Sequence, residues 1–193
     1  MTFETILSIS LGLGLAAACG FRIFVPLLAM SIANHAGHLE LADGFSWIGS
    51  TPALVALAVA TALEIGAYYV PWLDNFLDTA ATPLAVVAGI VVTASVVTDM
   101  SPILRWSLAA IAGGGVAATV QASTTAIRGF SSLATLGLGN ASVSTAEMGG
   151  AATLSLAAIL APLFGLVLVL AVLVAIGMTL RWLRSKTPTV STA

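Results

Sequence analysis

Long apolar runs dominate the chain, and a few polar residues, glycines and prolines interrupt them. The first run, from Thr2 to about Asn34, is longer than the roughly 20 residues that a helix needs to cross a bilayer. Its apolar part also exceeds that of a cleaved signal peptide and has no basic start, so we interpret it as a retained helix. Gly20, Arg22 and Pro26 lie near its middle, and we predict a bend or break there.

Three further helix starts are predicted where a hydroxyl residue precedes a proline. The hydroxyl suits the N-cap, and proline suits the first helical position because the N–H that it lacks would have no partner there. The three starts are Thr51-Pro52, Thr82-Pro83 and Ser101-Pro102, and the helices run to about Val70, Asp99 and Thr125.

The last apolar region runs from Met148 to Leu183. Ser144 and Glu147 precede it with the spacing of a capping box, which predicts a helix start at Ser144. The region is too long for one perpendicular helix, so it either tilts strongly or breaks near Pro162 and Gly165. The chain therefore has five or six predicted spans.

Composition supports a membrane protein. Of the 193 residues, 59% are hydrophobic and 7% are charged, against about 25% charged in soluble domains, and the mean hydropathy is +1.10. We predict an all-α, polytopic membrane helix bundle with some broken or kinked helices, comprising a single transmembrane domain over residues 1–185 and a short tail over 186–193. The net charge of −2 gives no basic face for nucleic acid.

The C-terminal basic residues indicate orientation. Arg181, Arg184 and Lys186 place the C-terminus in the cytoplasm by the positive-inside tendency, and we expect a bacterial inner membrane. The single cysteine, Cys19, can form neither an intramolecular disulfide nor a thiolate metal cluster.

The two halves of the chain, 1–100 and 101–185, share a pattern of one overlong helix followed by shorter segments. Gly14-Leu15-Ala16-Ala17 is similar to Gly115-Val116-Ala117-Ala118 at equivalent points. With an odd number of spans in each half, the halves would form an inverted repeat. Transporters with such repeats carry their sites near mid-membrane at the repeat interface.

Ionisable residues inside spans are the most informative chemistry, because each costs about 2.5–3.5 kcal/mol at mid-membrane and so needs a partner or a role. Arg22 lies at the interruption of the first helix, and Glu64 lies past the centre of the predicted Pro52–Val70 helix, with Tyr68 one turn later. One interpretation is a buried Arg22–Glu64 ion pair that fixes packing. The other is a Glu64 carboxylate that exchanges protons or cations.

A second group is acidic. Asp74 and Asp78 share a helical face, and Asn75, Thr79 and Thr82 add neutral oxygens. Such oxygen-rich sets suit Mg²⁺, Ca²⁺ or Na⁺. The alternative is a solvated acidic turn in which the helix dipole favours Asp78.

The remaining polar groups have simpler explanations. Glu147 caps a helix or enters a re-entrant loop that lines a cavity. His35 and His38 have ligand-compatible spacing for a metal but fit an ordinary loop, leaving Asp74, Asp78, His35 and His38 as metal candidates. No hydrolase triad, zinc-protease helix or nucleotide fingerprint is present, so we expect neither an enzyme nor a cofactor.

Three stretches carry a family resemblance: Gly20-Phe21-Arg22-Ile23-Phe24-Val25-Pro26, the run from Val70 to Thr79, and the triple glycine Gly113-Gly114-Gly115. In these, and over nearly the whole chain, the sequence resembles a bacterial membrane family catalogued as domain of unknown function 4126. The resemblance implies a compact integral membrane domain and no particular substrate. The triple glycine follows no strand and lacks the residues of a phosphate loop, so we predict close helix packing there.

Our leading hypothesis is a small transporter or channel for a cation or a proton-coupled small solute. Its pathway residues are Arg22, Glu64, Tyr68, Asp74, Asn75, Asp78, Thr82 and Glu147. The chain is expected to dimerise through Gly12, Gly14 and the triple glycine. The alternatives are a non-transporting scaffold or accessory subunit and a lipid-binding membrane protein.

Overall fold

The computed structural model describes the backbone of residues 2–67, 71–136 and 138–186, and the side chains of these residues except 71–79, 180 and 182–186. Within these ranges the chain is helical and contains no strand. A 3-10 turn at Ser46–Gly49 precedes the third helix, and a π-helical turn at Ala109–Gly113 joins the fifth to the sixth. The helices are α1 Phe3–Phe21, α2 Phe24–His35, α3 Thr51–Ala67, α4 Pro71–Val96, α5 Pro102–Leu108, α6 Gly114–Thr135, α7 Asn140–Leu160 and α8 Pro162–Lys186.

Length and composition make this a membrane helix bundle. Four segments within the described ranges are long and apolar enough to cross a bilayer: Phe3–Phe21, Pro102–Thr135, Asn140–Leu160 and Pro162–Thr179. Three apolar helices are shorter: Phe24–His35, Thr51–Ala67 and Ala80–Val96. Large apolar side chains such as Val55, Leu133 and Val167 face outward, as expected where the surroundings are hydrocarbon.

The break predicted near Arg22 is confirmed, and it reverses the chain. Arg22 is extended (φ −148°, ψ 128°) between α1 and α2. The Thr93 hydroxyl of α4 donates to the Gly12 carbonyl at 3.2 Å, and the Ser95 hydroxyl donates to the Met30 sulfur at 3.3 Å. Gly12, ten residues before Arg22, and Met30, eight residues after it, thus lie against the same turn of α4. We call this α1–α2 pair the broken hairpin, with Arg22 and Ile23 at its tip.

Small residues let α1 run through the centre of the bundle. A Cβ added at Gly14 would lie 2.5 Å from the Ala158 Cβ, and one at Gly20 would lie 2.7 Å from the Ala117 carbonyl oxygen. A Cβ added at Gly12 would lie 3.1 Å from the Thr93 side chain. Gly12 and Gly14 are therefore buried within one chain, and the expectation that they form a dimer surface is wrong. A dimer needs a different surface.

The triple glycine packs helices as predicted. Gly113 lies against Gly89 and Thr93 of α4, and Gly114 lies against Ile90. Gly115 faces open space. Close approach of backbones through small residues is typical of membrane helix contacts.

Several predicted boundaries are confirmed and three are wrong. The helical segment that begins at Pro102 continues to Thr135 instead of ending at about Thr125. The break at the start of α8 is confirmed, and Ser101 is the N-cap of α5 with Pro102 following it. Pro83, in contrast, lies inside the continuous helix α4 at an exposed position, and membrane helices tolerate proline. The predicted capping box is wrong because α7 begins at Asn140, so Glu147 lies two turns inside it.

The glycine-alanine strings of the two halves lie on helices that run in the same direction. Gly12 of α1 and Gly113 at the start of α6 both contact Thr93, whereas Gly20 contacts Ala117 and Val120 farther along α6. Helices related by an inverted repeat run in opposite directions. This pair of helices therefore does not support the predicted inversion.

The two ends of the bundle are defined by loop contacts. At one end, the Ala42 N–H donates to the Ser95 carbonyl at 2.7 Å, and the rings of Phe45 and Trp106 lie 6.0 Å apart. The turn after α6, around Leu136, lies at the opposite end because Pro102–Thr135 is one continuous helical segment of 34 residues.

Candidate functional site

Four charged side chains meet inside the bundle at the tip of the broken hairpin. They are Arg22 at the tip, Glu64 of α3, Arg128 of α6 and Glu147 of α7, and each is between 2% and 8% exposed. We call this group the charge cluster. Its two positive and two negative charges cancel, which limits the cost of holding them inside a membrane protein.

Glu64 caps the second arm of the broken hairpin. Its carboxylate oxygens accept hydrogen bonds from the backbone N–H groups of Ile23 at 2.8 Å and Phe24 at 3.1 Å. The first N–H groups of a helix have no partner within it, and a negative charge there is favoured by the helix dipole. The carboxylate of Glu64 thus occupies an anion position at the N-terminus of α2.

Arg128 and Glu147 form the other half of the charge cluster. The Arg128 Nε donates to one Glu147 oxygen at 2.9 Å, and its Nη2 contacts the other. This two-point contact is the geometry in which a guanidinium binds a carboxylate most specifically.

Arg22 joins the two halves of the charge cluster. Its Nη2 lies 3.5 Å from a Glu147 oxygen and donates to the Ser144 carbonyl at 2.9 Å. The charges of Arg22 and Arg128 both act on Glu64. The site is therefore a single electrostatic unit built from the tip of the hairpin and three further helices.

The structure brings three of the predicted pathway residues together: Arg22, Glu64 and Glu147. Arg22 has Glu147 as an ion-pair partner, while the Glu64 oxygens bond to backbone N–H groups. Sequence reasoning missed Arg128 as a site residue. The available signal was an arginine within an apolar segment, which is costly unless paired.

The other predicted pathway residues do not join the charge cluster in the described structure. Thr82 is exposed on α4. Tyr68 lies outside the described residues. Asp74, Asn75 and Asp78 lie in the first turns of α4, and their side chains lie outside the described part.

The metal candidates that the structure describes lie apart from this site. His35 and His38 are exposed, and the His35 Nδ1 lies 3.0 Å from the Gly49 carbonyl oxygen. Among the described residues, no three His, Cys, Asp or Glu side chains are grouped so that they could hold a metal ion.

Two apolar clefts flank Phe21, the residue before the tip. Their volumes are about 330 Å³ and 450 Å³, and both are walled by Phe21, Val172 and Ala175. One lies toward α6 at Phe130, and the other lies toward α7 at Gly150. None of the four charged residues lines either cleft, so the charge cluster stays buried beside them.

The fold and the buried charge cluster define a helical integral membrane protein with a broken helix at a polar centre. The chain belongs to the family described as domain of unknown function (DUF4126), whose model matches residues 9–182. This confirms the resemblance noted in the sequence. No curated protein and no solved structure matches the chain.

Proposed function

We propose that the protein is a small proton-coupled membrane transporter whose substrate site is the charge cluster. The observation that carries this proposal is the burial of four ionisable side chains at the reversal point of a broken helix. Intramembrane ionisable residues of this kind commonly mark transport pathways, and transporter sites are typically built where helices break. We place it in the bacterial inner membrane with the C-terminus in the cytoplasm.

Glu64 is the proton-exchanging group of the proposal. As a carboxylate it caps α2 and balances the arginines, whereas a protonated Glu64 would cap α2 less strongly and leave a net positive cluster. Uptake of a proton would thereby loosen the contact between α3 and the hairpin tip. Arg22 sets the resting charge, and Glu147 holds Arg128 in place.

A proton-coupled solute fits this site better than a metal cation does. Two of its four charged groups are guanidinium groups, which repel cations and cannot be deprotonated. Asp74 and Asp78 are proposed as an acidic entrance that attracts protons to the N-terminal end of α4.

The moving part is proposed to be α2 together with α3. The Ser31 hydroxyl of α2 donates to the Ile48 carbonyl in the 3-10 turn that leads into α3, at 2.6 Å, and this bond would keep the two helices linked when protonation of Glu64 loosens the cap at their other ends. Their movement would open the charge cluster to one side of the membrane at a time, as alternating access requires.

A second candidate is a non-transporting scaffold, and the charge balance of the cluster favours it. A buried set of four charges that sum to zero can fix helix packing without moving anything. The two candidates predict different effects of removing the Glu64 charge. In a transporter proton uptake is lost, whereas in a scaffold only thermal stability falls.

Proteoliposomes that contain a pH-sensitive dye separate the two. With an inward proton gradient and a panel of organic acids, amino acids and sugars outside, we expect proton uptake that depends on one class of solute. Glu64→Gln should abolish this uptake, and the matched control Glu40→Gln, at an exposed loop position, should not. If folded Glu64→Gln protein takes up protons like the wild type, the transporter proposal fails. If no solute drives uptake and Glu64→Gln lowers only thermal stability, the scaffold is favoured.

A further inference from the structure

We propose that water and protons reach the charge cluster from one end of the bundle, along a polar seam between α6 and α7. This inference rests on the proposed function and names the route of its proton. The polar seam begins at the turn around Leu136 and ends at the charge cluster. Its residues are Arg128, Ser132 and Thr135 of α6 and Asn140, Ser144 and Glu147 of α7.

Hydrogen bonds across the polar seam show that the polar sides of α6 and α7 face each other. The Asn140 Nδ2 donates to the Ser132 Oγ at 2.9 Å. Deeper in the bundle, Arg128 binds Glu147 at two points. Ser144 lies one turn from Asn140 and one turn from Glu147, so it belongs to the same side of α7. Polar groups thus line this helix contact from the turn down to the charge cluster.

The charge cluster lies close to the end of the bundle at which the polar seam begins. Asn140, the first residue of α7, precedes Glu147 by about two turns, or roughly 10 Å along the helix axis. In the other direction, α7 continues from Glu147 to Leu160, which is roughly 20 Å. The route from the turn is therefore about half as long as the route from the opposite end.

Beyond the charge cluster, the same side of α7 is apolar and closely packed. Ala151, Leu154 and Ala158 are each at most 4% exposed. A Cβ added at Gly14 of α1 would lie 2.5 Å from the Ala158 Cβ, which leaves no room for water at this contact. The polar seam therefore connects the charge cluster with the turn around Leu136 and not with the opposite end.

The Ser144 hydroxyl is an independent indication that water enters the polar seam. Ser144 is 1% exposed, and its Oγ has no hydrogen-bond partner within the described part of the chain. The carbonyl of the same residue accepts from the Arg22 Nη2 at 2.9 Å. A buried polar group without a partner is costly, and an ordered water that bonds several polar groups commonly satisfies it. A water on the Ser144 hydroxyl would join the polar seam to the charge cluster.

The polar seam can carry a proton because a hydroxyl group is both a donor and an acceptor, as water is. A proton that enters at the turn is accepted by a hydroxyl or a water, which releases another proton toward the charge cluster, so none is retained on the way. The guanidinium groups of the cluster cannot be deprotonated and take up no further proton. The proton therefore ends on a carboxylate of the cluster, Glu147 or Glu64.

Cysteine accessibility tests the polar seam without relying on transport. The thiolate is the reactive form of a thiol and needs a polar surrounding, so a thiol in a hydrated path reacts faster than one in a dry helix contact. The probe is the impermeant reagent 2-sulfonatoethyl methanethiosulfonate, added to vesicles of one orientation and followed by mass spectrometry. The wild type, whose Cys19 is fully buried, gives the background.

We expect Ser144→Cys to react from the side of the membrane on which Leu136→Cys reacts. The matched control is Ser155→Cys, which is equally buried on α7 but lies beyond the charge cluster. Ser144→Cys should react at least about tenfold faster than this control. Equal rates would overturn the polar seam, and so would reaction of Ser144→Cys only from the side on which Asp43→Cys reacts.

A second pair of variants covers the case in which Ser144→Cys does not fold. Ser132→Cys lies in the polar seam at a half-buried position of α6 and should react from the same side as Leu136→Cys. Its control is Ser123→Cys on the same helix, which is exposed but lines the apolar cleft at Phe130. This control should stay unmodified because its surroundings are hydrocarbon. Equal reaction of the two variants would contradict a hydrated seam.

Ser144→Thr and Ser144→Val test proton transfer through the polar seam. Threonine and valine have nearly the same shape, but only threonine keeps a hydroxyl. In the proteoliposome assay, Ser144→Val should take up protons about tenfold more slowly than Ser144→Thr, as expected for one lost hydrogen bond. Equal uptake by the two folded variants would overturn the route.

The labelling experiment and the flux experiment can fail separately. Labelling of Ser144→Cys together with no solute-dependent proton uptake by the wild type would reject the transporter and keep the hydrated seam. Solute-dependent uptake together with an unlabelled Ser144→Cys protein would keep the transporter and reject this route.

Discussion

Arg128 of α6 and Glu147 of α7 bind each other at two points inside the bundle, and each is at most 4% exposed. Removing one member leaves the other charge buried with its main partner gone. We therefore expect Arg128→Gln to reduce the free energy of unfolding by about 3–5 kcal/mol. Unfolding of detergent-solubilised protein, followed by tryptophan fluorescence, measures the change. The control is Arg105→Gln at a partly exposed position, which should cost less than about 1 kcal/mol.

The double variant Arg128→Gln with Glu147→Gln adds a stricter check of the same pair. Because neither charge is then left without the other, its loss of stability should be smaller than the sum of the two single losses. Additive losses would contradict a direct interaction.

The broken hairpin should lose stability as substitutions at position 64 remove hydrogen-bond acceptors from the carboxylate. Glu64→Ala leaves two buried N–H groups without their carboxylate and should cost about 2–3 kcal/mol. Glu64→Gln keeps one carbonyl oxygen and should cost about half as much. Hydrogen exchange at the Ile23 and Phe24 amides measures the loss of these hydrogen bonds directly. The exchange rate should increase from wild type to Glu64→Gln to Glu64→Ala. Equal exchange in all three proteins would show that Glu64 does not cap α2.

Neighbouring glycines on one helix turn should respond in opposite ways. A Cβ at Gly113 would lie 2.7 Å from the Gly89 carbonyl oxygen and would also meet Thr93, so Gly113→Ala must push α6 away from α4. We expect a loss of about 1–3 kcal/mol. Gly115 has open space around its Cβ position, and Gly115→Ala should be neutral or stabilise by up to about 1 kcal/mol. Melting temperatures of both variants provide the comparison, and equal shifts would refute the packing.

Cysteine labelling should place the two ends of the bundle on opposite sides of the membrane. Cys19 is fully buried, so a membrane-impermeant maleimide should not label the wild type. Asp43→Cys and Leu136→Cys introduce exposed thiols at the two ends. In vesicles of one orientation, external reagent should label only one of these variants, and the other should react only after permeabilisation. Labelling of both from outside would contradict the arrangement of α4 and α6.

The sequence predicted features that depend on local chemistry. The break at Arg22 and the start of α5 at Ser101 follow from proline, glycine and a charge in an apolar run, and each is confirmed. The close packing of Gly113 was predictable because small residues in apolar helices have few other uses.

The pairing of charges could not be predicted in the same way. Arg22 has two carboxylates within reach, and only the fold decides that Glu147 becomes an ion-pair partner while Glu64 caps α2. The capping box at Ser144 was wrong because α7 begins at Asn140, so Glu147 lies inside the helix, where it pairs with Arg128. Pro83 was misread because a threonine-proline pair can also lie inside a continuous membrane helix, as it does in α4.

The charge cluster also bears on how the protein is made. Each half of the chain contributes one arginine and one glutamate: Arg22 with Glu64, and Arg128 with Glu147. As a ribosome delivers the chain from its N-terminus, the first half can enter the bilayer with its two cluster charges summing to zero, and the second half then brings a second pair of opposite charges. The contact of Arg22 with a carbonyl 122 residues later then joins two inserted halves. Insertion can thus proceed in two stages. The two halves, synthesised as separate polypeptides, should associate in the membrane.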